Sequence, residues 1–146
     1  RVDGETVLEF PGANIGVAVG MDEGLVVPVV VNAERLTLAQ LATETKRLAN
    51  QARAGKIENM GLGIFTISNL GMFGVDDFVA IVNPPEAGIL GVGKIQEKPV
   101  VKDGGIHIRS MLTLSLVFDH RLIDGAPAAR FLAAVKARLE QPTWGE

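Results

Sequence analysis

A change of hydrophobic period near the carboxyl end constrains this chain more than any other feature of its sequence. From Leu112 to Phe118 apolar residues alternate with polar ones, the period of two expected of a β-strand. From Ala128 to Leu139 apolar residues recur at helical spacing, behind Pro127, which is favoured in a first helical turn. The run Asp-His-Arg-Leu-Ile-Asp-Gly, residues 119–125, lies between the two patterns. The sequence therefore predicts a rigid strand-to-helix junction that presents His120.

His120 is a candidate for proton transfer because of this position. An imidazole titrates near neutral pH, so it can take a proton from a thiol or an alcohol and return it. A single histidine near a turn is more often a solvated or packing residue, so the histidine alone does not establish a site. The second histidine, His107, lies between two apolar residues of a predicted strand, and we expect it to be exposed on the opposite side of that strand.

Strand patterns dominate the middle of the chain, and two helical patterns lie apart from them. Thr37 is a predicted helix cap, the helix has an apolar inward stripe, and Gly55 is its predicted stop. A second helix is predicted from about Pro127 to Glu140, ending before Pro142. The predicted strands are residues 6–10, 15–19, 24–31, 63–68, 79–82, 88–93 and 106–118. This order predicts the α+β class, a sheet covered by helices.

Composition excludes several classes of function. A formal net charge of -3 leaves no basic stripe for a nucleic acid partner. The chain has no cysteine and only two distant histidines, so we expect neither a disulfide framework nor a metal site. The apolar runs are too short to cross a membrane. Apolar residues make up 47% of the chain beside 17 glycines, and this excess predicts apolar surface between subunits.

Several ordered segments carry a resemblance to a known family. The spacing His-x-x-x-Asp-Gly at residues 120–125 resembles the active-site signature of the chloramphenicol acetyltransferase superfamily. The form Asp-His-Arg-x-x-Asp-Gly resembles the dihydrolipoamide acyltransferases (E2) of 2-oxoacid dehydrogenase complexes. Residues 65–74, 81–87 and 89–91 are similar to stretches of the same family, and so are residues 24–29 and 52–56. The resemblance covers nearly the whole chain.

This resemblance implies a fold and an activity. The fold is a chloramphenicol acetyltransferase-like two-layer sandwich, a mixed sheet covered by helices, of which residues 1–146 form the C-terminal part. The activity is transfer of an acyl group between dihydrolipoamide and coenzyme A. His120 is then the general base for the thiol, and Ser68 donates its hydroxyl to the oxyanion without becoming a nucleophile.

The remaining predicted site residues have supporting roles. Asp124 either holds the loop, as a helix cap or an ion-pair partner, or relays a proton from His120. Asn69 and Gly71 shape the loop or substrate channel that follows Ser68, and Gly125 permits the tight turn into the helix. Met72 and Phe73 are expected to be packing residues, although an apolar wall beside a thioester channel is an alternative.

The resemblance also implies partners. Coenzyme A is a substrate, the lipoyl group is carried on a separate domain, and no metal is used. The family forms homotrimers, in some cases joined into larger cores, with the histidine and the serine supplied by different chains. The E1 and E3 components bind through lipoyl and peripheral-subunit-binding domains that we expect outside this chain, together with the N-terminal part of the catalytic domain. The implied location is the cytoplasm of a bacterium or the mitochondrial matrix of a eukaryote.

The sequence leaves the identity of the acyl group undecided, and it allows two alternative functions. The form Ser-Asn-Leu-Gly-Met-Phe-Gly, residues 68–74, looks more like acetyltransferases of pyruvate dehydrogenase complexes than like succinyl or branched-chain versions. The first alternative function is a non-catalytic core or scaffold protein with the same fold, which would typically lack the histidine. The second is acetyl transfer to a small molecule, which would be distinguished from the proposed activity by the acceptor that turns over.

Overall fold

The computed structural model describes residues 1–141 and contains eleven short strands, two α-helices and two short 3-10 helices in that range. The helices are α1 (Leu38–Arg53) and α2 (Gly125–Glu140). The first six strands are β1 (Val2–Asp3), β2 (Thr6–Val7), β3 (Ile15–Val17), β4 (Val19–Met21), β5 (Gly24–Val26) and β6 (Val29–Val30). The other five are β7 (Phe65–Asn69), β8 (Gly88–Val92), β9 (Gln96–Lys102), β10 (Gly105–Met111) and β11 (Leu114–Phe118).

A five-stranded mixed sheet is the centre of the fold. Its strand order is β11-β8-β7-β3-β6. The inner strands β8, β7 and β3 are parallel to one another, whereas β11 and β6 run antiparallel at the two edges. The core follows the sheet, since Val29, Val30, Ile89 and Leu90 are buried in it. The predicted α+β class with a mixed sheet is confirmed.

Both helices cover one face of this sheet. Thr37 begins α1 with a capping box, in which its hydroxyl accepts from the Gln40 amide and the Gln40 side chain accepts from the Thr37 amide. Leu48 and Ala52 of α1 are buried beside β6. Helix α2 packs beside β11, and the ring of Phe131 contacts Phe65 of β7 edge to face at 5.9 Å. The result is a two-layer arrangement.

A segment with no helix or strand, residues 75–86, covers the opposite face of the sheet, and we call it the strap. Its first residue accepts a backbone hydrogen bond from Lys94, and the carbonyl of Phe78 accepts from the Ser115 hydroxyl of β11. At its far end the buried Glu86 carboxylate accepts from the Thr66 hydroxyl of β7 at 2.5 Å. Polar contacts therefore fix the strap at both ends and in the middle.

Strands β9 and β10 form a separate antiparallel ribbon outside the central sheet. They pair from Gln96 opposite Met111 to Lys102 opposite Gly105. The connection into the ribbon passes tightly beside the loop after β7. A Cβ at Gly71 would come within 2.7 Å of the Gly93 carbonyl oxygen, and a Cβ at Gly93 would meet the Asp76 carbonyl oxygen at 2.0 Å. Only glycine fits at these two positions.

Several predicted strands are wrong in extent. The stretch 24–31 is divided between β5 and β6, which belong to different sheets, because Pro28 lacks the amide that a continuous ladder needs. The stretches 15–19 and 106–118 are each likewise divided between two sheets, and β2 is shorter than the predicted 6–10. Residues 79–82 form no strand and pair with no strand of the described chain. Position 142, expected to follow the last helix, lies outside the described residues.

Candidate functional site

His120 lies on a tight turn between β11 and α2, as the sequence predicts. The Asp119 amide donates to the Ala87 carbonyl beside the first residue of β8, which continues the strand pairing by one residue. The Asp119 carbonyl then accepts from the amides of Leu122 and Ile123, which closes the turn. The imidazole therefore stands on a short turn that is hydrogen-bonded to the sheet.

Asp119 fixes this turn through its side chain as well. Its carboxylate accepts from the Arg121 backbone amide at 2.9 Å and from the Arg121 guanidinium at 2.6 to 3.1 Å. These hydrogen bonds from Arg121 lower the pKa of Asp119 to about 2. These contacts join the residue before His120 to the residue after it, so they hold the backbone of the turn on both sides of the histidine.

The side chain of His120 is open to solvent. Its side chain is 71% exposed, and its ring lies 5.6 Å from the ring of Phe118 in a tilted arrangement. Asp124 Oδ1 is 3.6 Å from His120 Nδ1, slightly beyond hydrogen-bond distance. Asp124 occupies the N-cap position of α2, but its side chain makes no capping hydrogen bond. Of the two structural roles expected for Asp124, capping is wrong and pairing with His120 fits the geometry.

Ser68 lies on β7, one residue before the strand ends. The Asn69 side chain accepts from the Gly71 amide at 2.8 Å and so turns the chain sharply after the strand. This hydrogen bond joins Asn69 and Gly71 in the loop, and their role beside a substrate channel stays a prediction. At Gly125 the structure shows no need for glycine, because its φ is not positive and an added Cβ would meet nothing within 4 Å. That expectation is wrong.

An apolar groove of about 590 Å³ has Ser68 and Asn69 in its lining. The sequence did not reveal it, because its walls come from distant segments: Val17, Leu25, Leu41, Ala49, Met72 and Phe73. Met72 and Phe73 are exposed rather than packed, which overturns their expected role and fits the alternative of an apolar wall. An apolar groove of this size suits an alkyl chain.

Ser68 and His120 are far apart within one chain. Ser68 pairs with Gly91, which pairs with Ser115, so two strand spacings separate Ser68 from β11. Phe118 is three residues further along β11, so its Cα lies about 14 Å from that of Ser68. Because side chains alternate along a strand, Ser68 and Phe118 also point to opposite faces of the sheet. The two candidate residues therefore do not form one site within a single copy.

Metal-binding and membrane-spanning features are absent from residues 1–141. No group of three or more histidine or acidic side chains in that range could hold a metal ion. Neither helix of the described chain is long and apolar enough to cross a bilayer.

Comparisons with known proteins agree on one family. Residues 1–144 match the family described as 2-oxoacid dehydrogenases acyltransferase (catalytic domain). The dihydrolipoyllysine-residue acetyltransferase of the acetoin cleaving system of Bacillus subtilis is 48% identical over 94% of this chain. The dihydrolipoyllysine-residue succinyltransferase of the 2-oxoglutarate dehydrogenase complex of Pseudomonas aeruginosa is 47% identical over 97% of this chain. The chain spans 35% of the length of each of these relatives.

Solved structures give the same family. One is the Azotobacter vinelandii dihydrolipoamide acetyltransferase, investigated for the role of a serine, a histidine and an asparagine in its catalytic mechanism, with a TM-score of 0.89 and 43% identity. Another is the cubic core of a pyruvate dehydrogenase multienzyme complex, with a TM-score of 0.90 and 42% identity. Each match covers 94% of this chain and 58% of the other.

The lowered pKa of Asp119 leads to a prediction about the turn. Because the pKa of Asp119 is lowered, its hydrogen bonds with Arg121 stabilise the folded protein fully at pH values above the ordinary aspartate pKa of 3.8. This stabilisation is lost as the pH falls through about 2. We expect NMR titration of the Asp119 carboxyl carbon to show a midpoint near 2 that Arg121→Gln moves toward 3.8. Arg138→Gln, at the other end of α2, should leave the midpoint unchanged. A wild-type midpoint near 3.8 would contradict the assignment.

Proposed function

The chain belongs to the acyltransferase catalytic-domain family of 2-oxoacid dehydrogenases, and on that premise we propose that it transfers an acyl group between dihydrolipoamide and coenzyme A. His120 and Ser68 carry the reaction in this proposal, and Asp124 positions the imidazole. The lipoyl group and coenzyme A are substrates, and no metal takes part.

One observation carries the assignment of these residues. In the A. vinelandii acetyltransferase, the serine, histidine and asparagine investigated are spaced by 52 and then four positions. Ser68, His120 and Asp124 have the same two spacings, and that enzyme matches 94% of this chain. The third position holds an aspartate here in place of the asparagine. An amide oxygen and a carboxylate oxygen can each accept from an imidazole N–H, so both residues suit a positioning role.

The side chains supply the proton transfers and the charge stabilisation that the reaction needs. His120 takes the proton from the coenzyme A thiol, and the resulting thiolate attacks the carbonyl carbon of the acyl-dihydrolipoamide thioester. The Ser68 hydroxyl donates to the oxyanion of the tetrahedral intermediate. When the intermediate collapses, the carbon–sulfur bond to dihydrolipoamide breaks and His120 returns its proton to the leaving thiolate. The products are acyl-coenzyme A and dihydrolipoamide, with no acyl-enzyme.

The separation of Ser68 from His120 supports a site shared between copies. A general base must lie within hydrogen-bond reach of its proton, and an oxyanion donor must lie about 3 Å from the same reacting group. Ser68 and Phe118 are about 14 Å apart on opposite faces of the sheet, and His120 lies two residues beyond Phe118, so the two candidate residues of one copy do not meet that requirement. We therefore propose a homotrimer in which each site takes His120 from one copy and Ser68 from the next, with a larger core as a further level of assembly.

Membership of this family also indicates the substrate arms and the partners. The apolar groove beside Ser68 and Asn69 suits the alkyl part of a lipoyl or pantetheine arm. We propose that a longer parent protein carries the lipoyl domain and the domain that binds the E1 and E3 components, since the chain spans 35% of its relatives. The bacterial relatives favour a location in the cytoplasm.

We propose acetyl as the acyl group, from the form of residues 68–74. The succinyltransferases at 43% to 47% identity make succinyl a second candidate. Transfer from acetyl-dihydrolipoamide and from succinyl-dihydrolipoamide, measured side by side, separates the two.

Replacing the proposed base tests the function directly. In the longest protein that contains this chain, His120→Ala should reduce coenzyme A-dependent acyl transfer to the uncatalysed level while circular dichroism stays unchanged. His107→Ala is the matched control, because His107 is exposed on the ribbon, and it should retain full activity. Activity in folded His120→Ala would show that another group is the base, and an assembled wild type without transfer would favour a scaffold.

Replacing the proposed oxyanion donor has a measurable cost. Ser68→Ala should lower turnover about 10²- to 10³-fold, the usual loss for one donor, whereas exposed Ser110→Ala should not. When Ser68→Ala and His120→Ala subunits are dissociated, mixed equally and reassembled, about a quarter of shared sites regain both residues, so activity should return to about a quarter of wild type. No recovery on mixing would argue against shared sites, and a loss below tenfold would assign the oxyanion to another donor.

The role of Asp124 can be separated from a proton relay. A positioning role predicts that Asp124→Asn keeps most of the activity, because the amide oxygen still accepts from the imidazole, whereas Asp124→Ala loses about tenfold. Neither variant should change the melting temperature, since Asp124 makes no capping hydrogen bond. Equal losses in Asp124→Asn and Asp124→Ala would support the relay.

A further inference from the structure

Among residues 1–141, two polar or charged side chains are buried, and they contact each other. Thr66 of β7 is 1% exposed, and Glu86 at the end of the strap is 4% exposed. The Glu86 carboxylate accepts from the Thr66 hydroxyl at 2.5 Å and from the Asn83 side-chain amide at 3.1 Å. None of the ion pairs in that range includes Glu86. A carboxylate is therefore buried here without a cation beside it.

The free energy of folding does not explain this pair. Taking a carboxylate out of water is costly, and replacing both partners of a buried polar contact by apolar groups of the same shape is often neutral or stabilising. Apolar side chains fill neighbouring positions of the sheet, since Ile89, the partner of Thr66 on β8, is itself buried. The contact between Thr66 and Glu86 therefore needs an explanation other than stability.

The buried pair lies on the strand that carries Ser68. Thr66 and Ser68 are two residues apart on β7, so their side chains point to the same face of the sheet. Strand β3 encloses Thr66 from the side, because a Cβ at Gly16 would lie 2.5 Å from Thr66 Oγ1. Just before β7, a Cβ at Gly63 would lie 2.6 Å from Glu86 Oε1. Glu86 therefore contacts β7 closely both at its entry and next to Ser68.

The Ser68 hydroxyl has no hydrogen-bond partner of its own in the part of the chain that the structure describes. There, the side chains of β7 form hydrogen bonds through Thr66 and Asn69. The partner of Ser68 on β8 is Gly91, which has no side chain. The hydroxyl is therefore free to donate to a substrate oxygen, and its location depends on where the backbone of β7 lies.

We infer that Glu86 is a positioning residue for the acyl transfer: through Thr66 it fixes the backbone of β7 so that the Ser68 hydroxyl meets the oxyanion. The inference rests on the proposed function, which assigns the oxyanion to Ser68. An oxyanion donor must lie about 3 Å from the oxyanion, and a misplacement of about 1 Å can cost about a hundredfold in rate. A buried contact that limits such movement acts on turnover without touching the substrate.

Replacing the carboxylate by an apolar side chain of similar length tests the inference in the longest protein that contains this chain. Glu86→Met removes the acceptor for Thr66, so turnover should fall about tenfold while the KM for each substrate stays within about twofold. Glu86→Gln should keep at least about half of the wild-type turnover, because its amide oxygen still accepts from the hydroxyl. Glu23→Met, at an exposed turn, is the matched control and should equal the wild type.

Two combined variants separate positioning from stability. Thr66→Val with Glu86→Met replaces the polar pair by two apolar side chains, so the melting temperature should equal or exceed that of Glu86→Met. Turnover of this double variant should nevertheless stay about tenfold low, because the hydrogen bond is still missing. In a Ser68→Ala background, Glu86→Met should lower turnover less than about twofold, since the donor that it positions is already absent.

Variants of Thr66 keep the test decisive if Glu86→Met does not fold. Thr66→Val removes the hydroxyl and keeps the shape of the side chain, whereas Thr66→Ser keeps the hydroxyl. We expect Thr66→Val to lose about tenfold in turnover and Thr66→Ser to lose less than about twofold. Circular dichroism monitors the fold of each variant, and equal turnover in the two variants would overturn the inference.

Three further results would overturn the inference. One is wild-type turnover in folded Glu86→Met, and another is turnover that recovers with the melting temperature in the double apolar variant, which would make the pair purely structural. The third is an equal loss in the Ser68→Ala background, which would assign the effect to another part of the site. An inactive wild type would reject the reaction itself, whereas a wild type that loses turnover in Ser68→Ala but not in Glu86→Met would reject the inference alone.

Discussion

The register of β7, β8 and β11 is the constraint on which the rest of the structure depends. Parallel pairing of β7 with β8 and antiparallel pairing of β8 with β11 fix the position of Ser68 relative to the turn that bears His120. A slip of one residue would move every side chain of a strand to the opposite face. The burial of both faces, by helices on one side and the strap on the other, makes such a slip costly. The distance between the two candidate residues is therefore a property of the sheet rather than of flexible loops.

Buried polar contacts and close backbone approaches hold the strap against this sheet. The Glu86 carboxylate accepts from Thr66 and from Asn83, so it is buried without an unsatisfied oxygen. Gly91 leaves room for the ring of Phe78, since a Cβ there would lie 3.1 Å from that ring. Fixed inner contacts explain how Val79 and Ile81 stay exposed on an ordered segment. The same contacts that fix this segment against the sheet therefore also leave these two apolar side chains exposed.

Local patterns predicted the elements whose stabilisation is local. The capping box at Thr37, the first helix and the strand-to-helix turn around His120 follow from neighbouring residues, and all are confirmed. The predictions that failed concern partners distant in sequence. Residues 79–82 have strand-like composition, but they pair with no strand of the described chain. Met72 and Phe73 are apolar but exposed, because whether an apolar residue is packed depends on what lies opposite it in space.

The sequence by itself determined the α+β class, the family resemblance and the identity of the candidate residues, because these depend on spacing along the chain. It also indicated an apolar excess without locating it. Tertiary structure alone decided that Ser68 and Phe118, the strand residue before the His120 turn, point to different faces of one sheet, and that Val79, Ile81 and Ile106 are exposed. The physical reason is that strand register and sheet order bring together segments dozens of residues apart, and no local pattern encodes which segments those are.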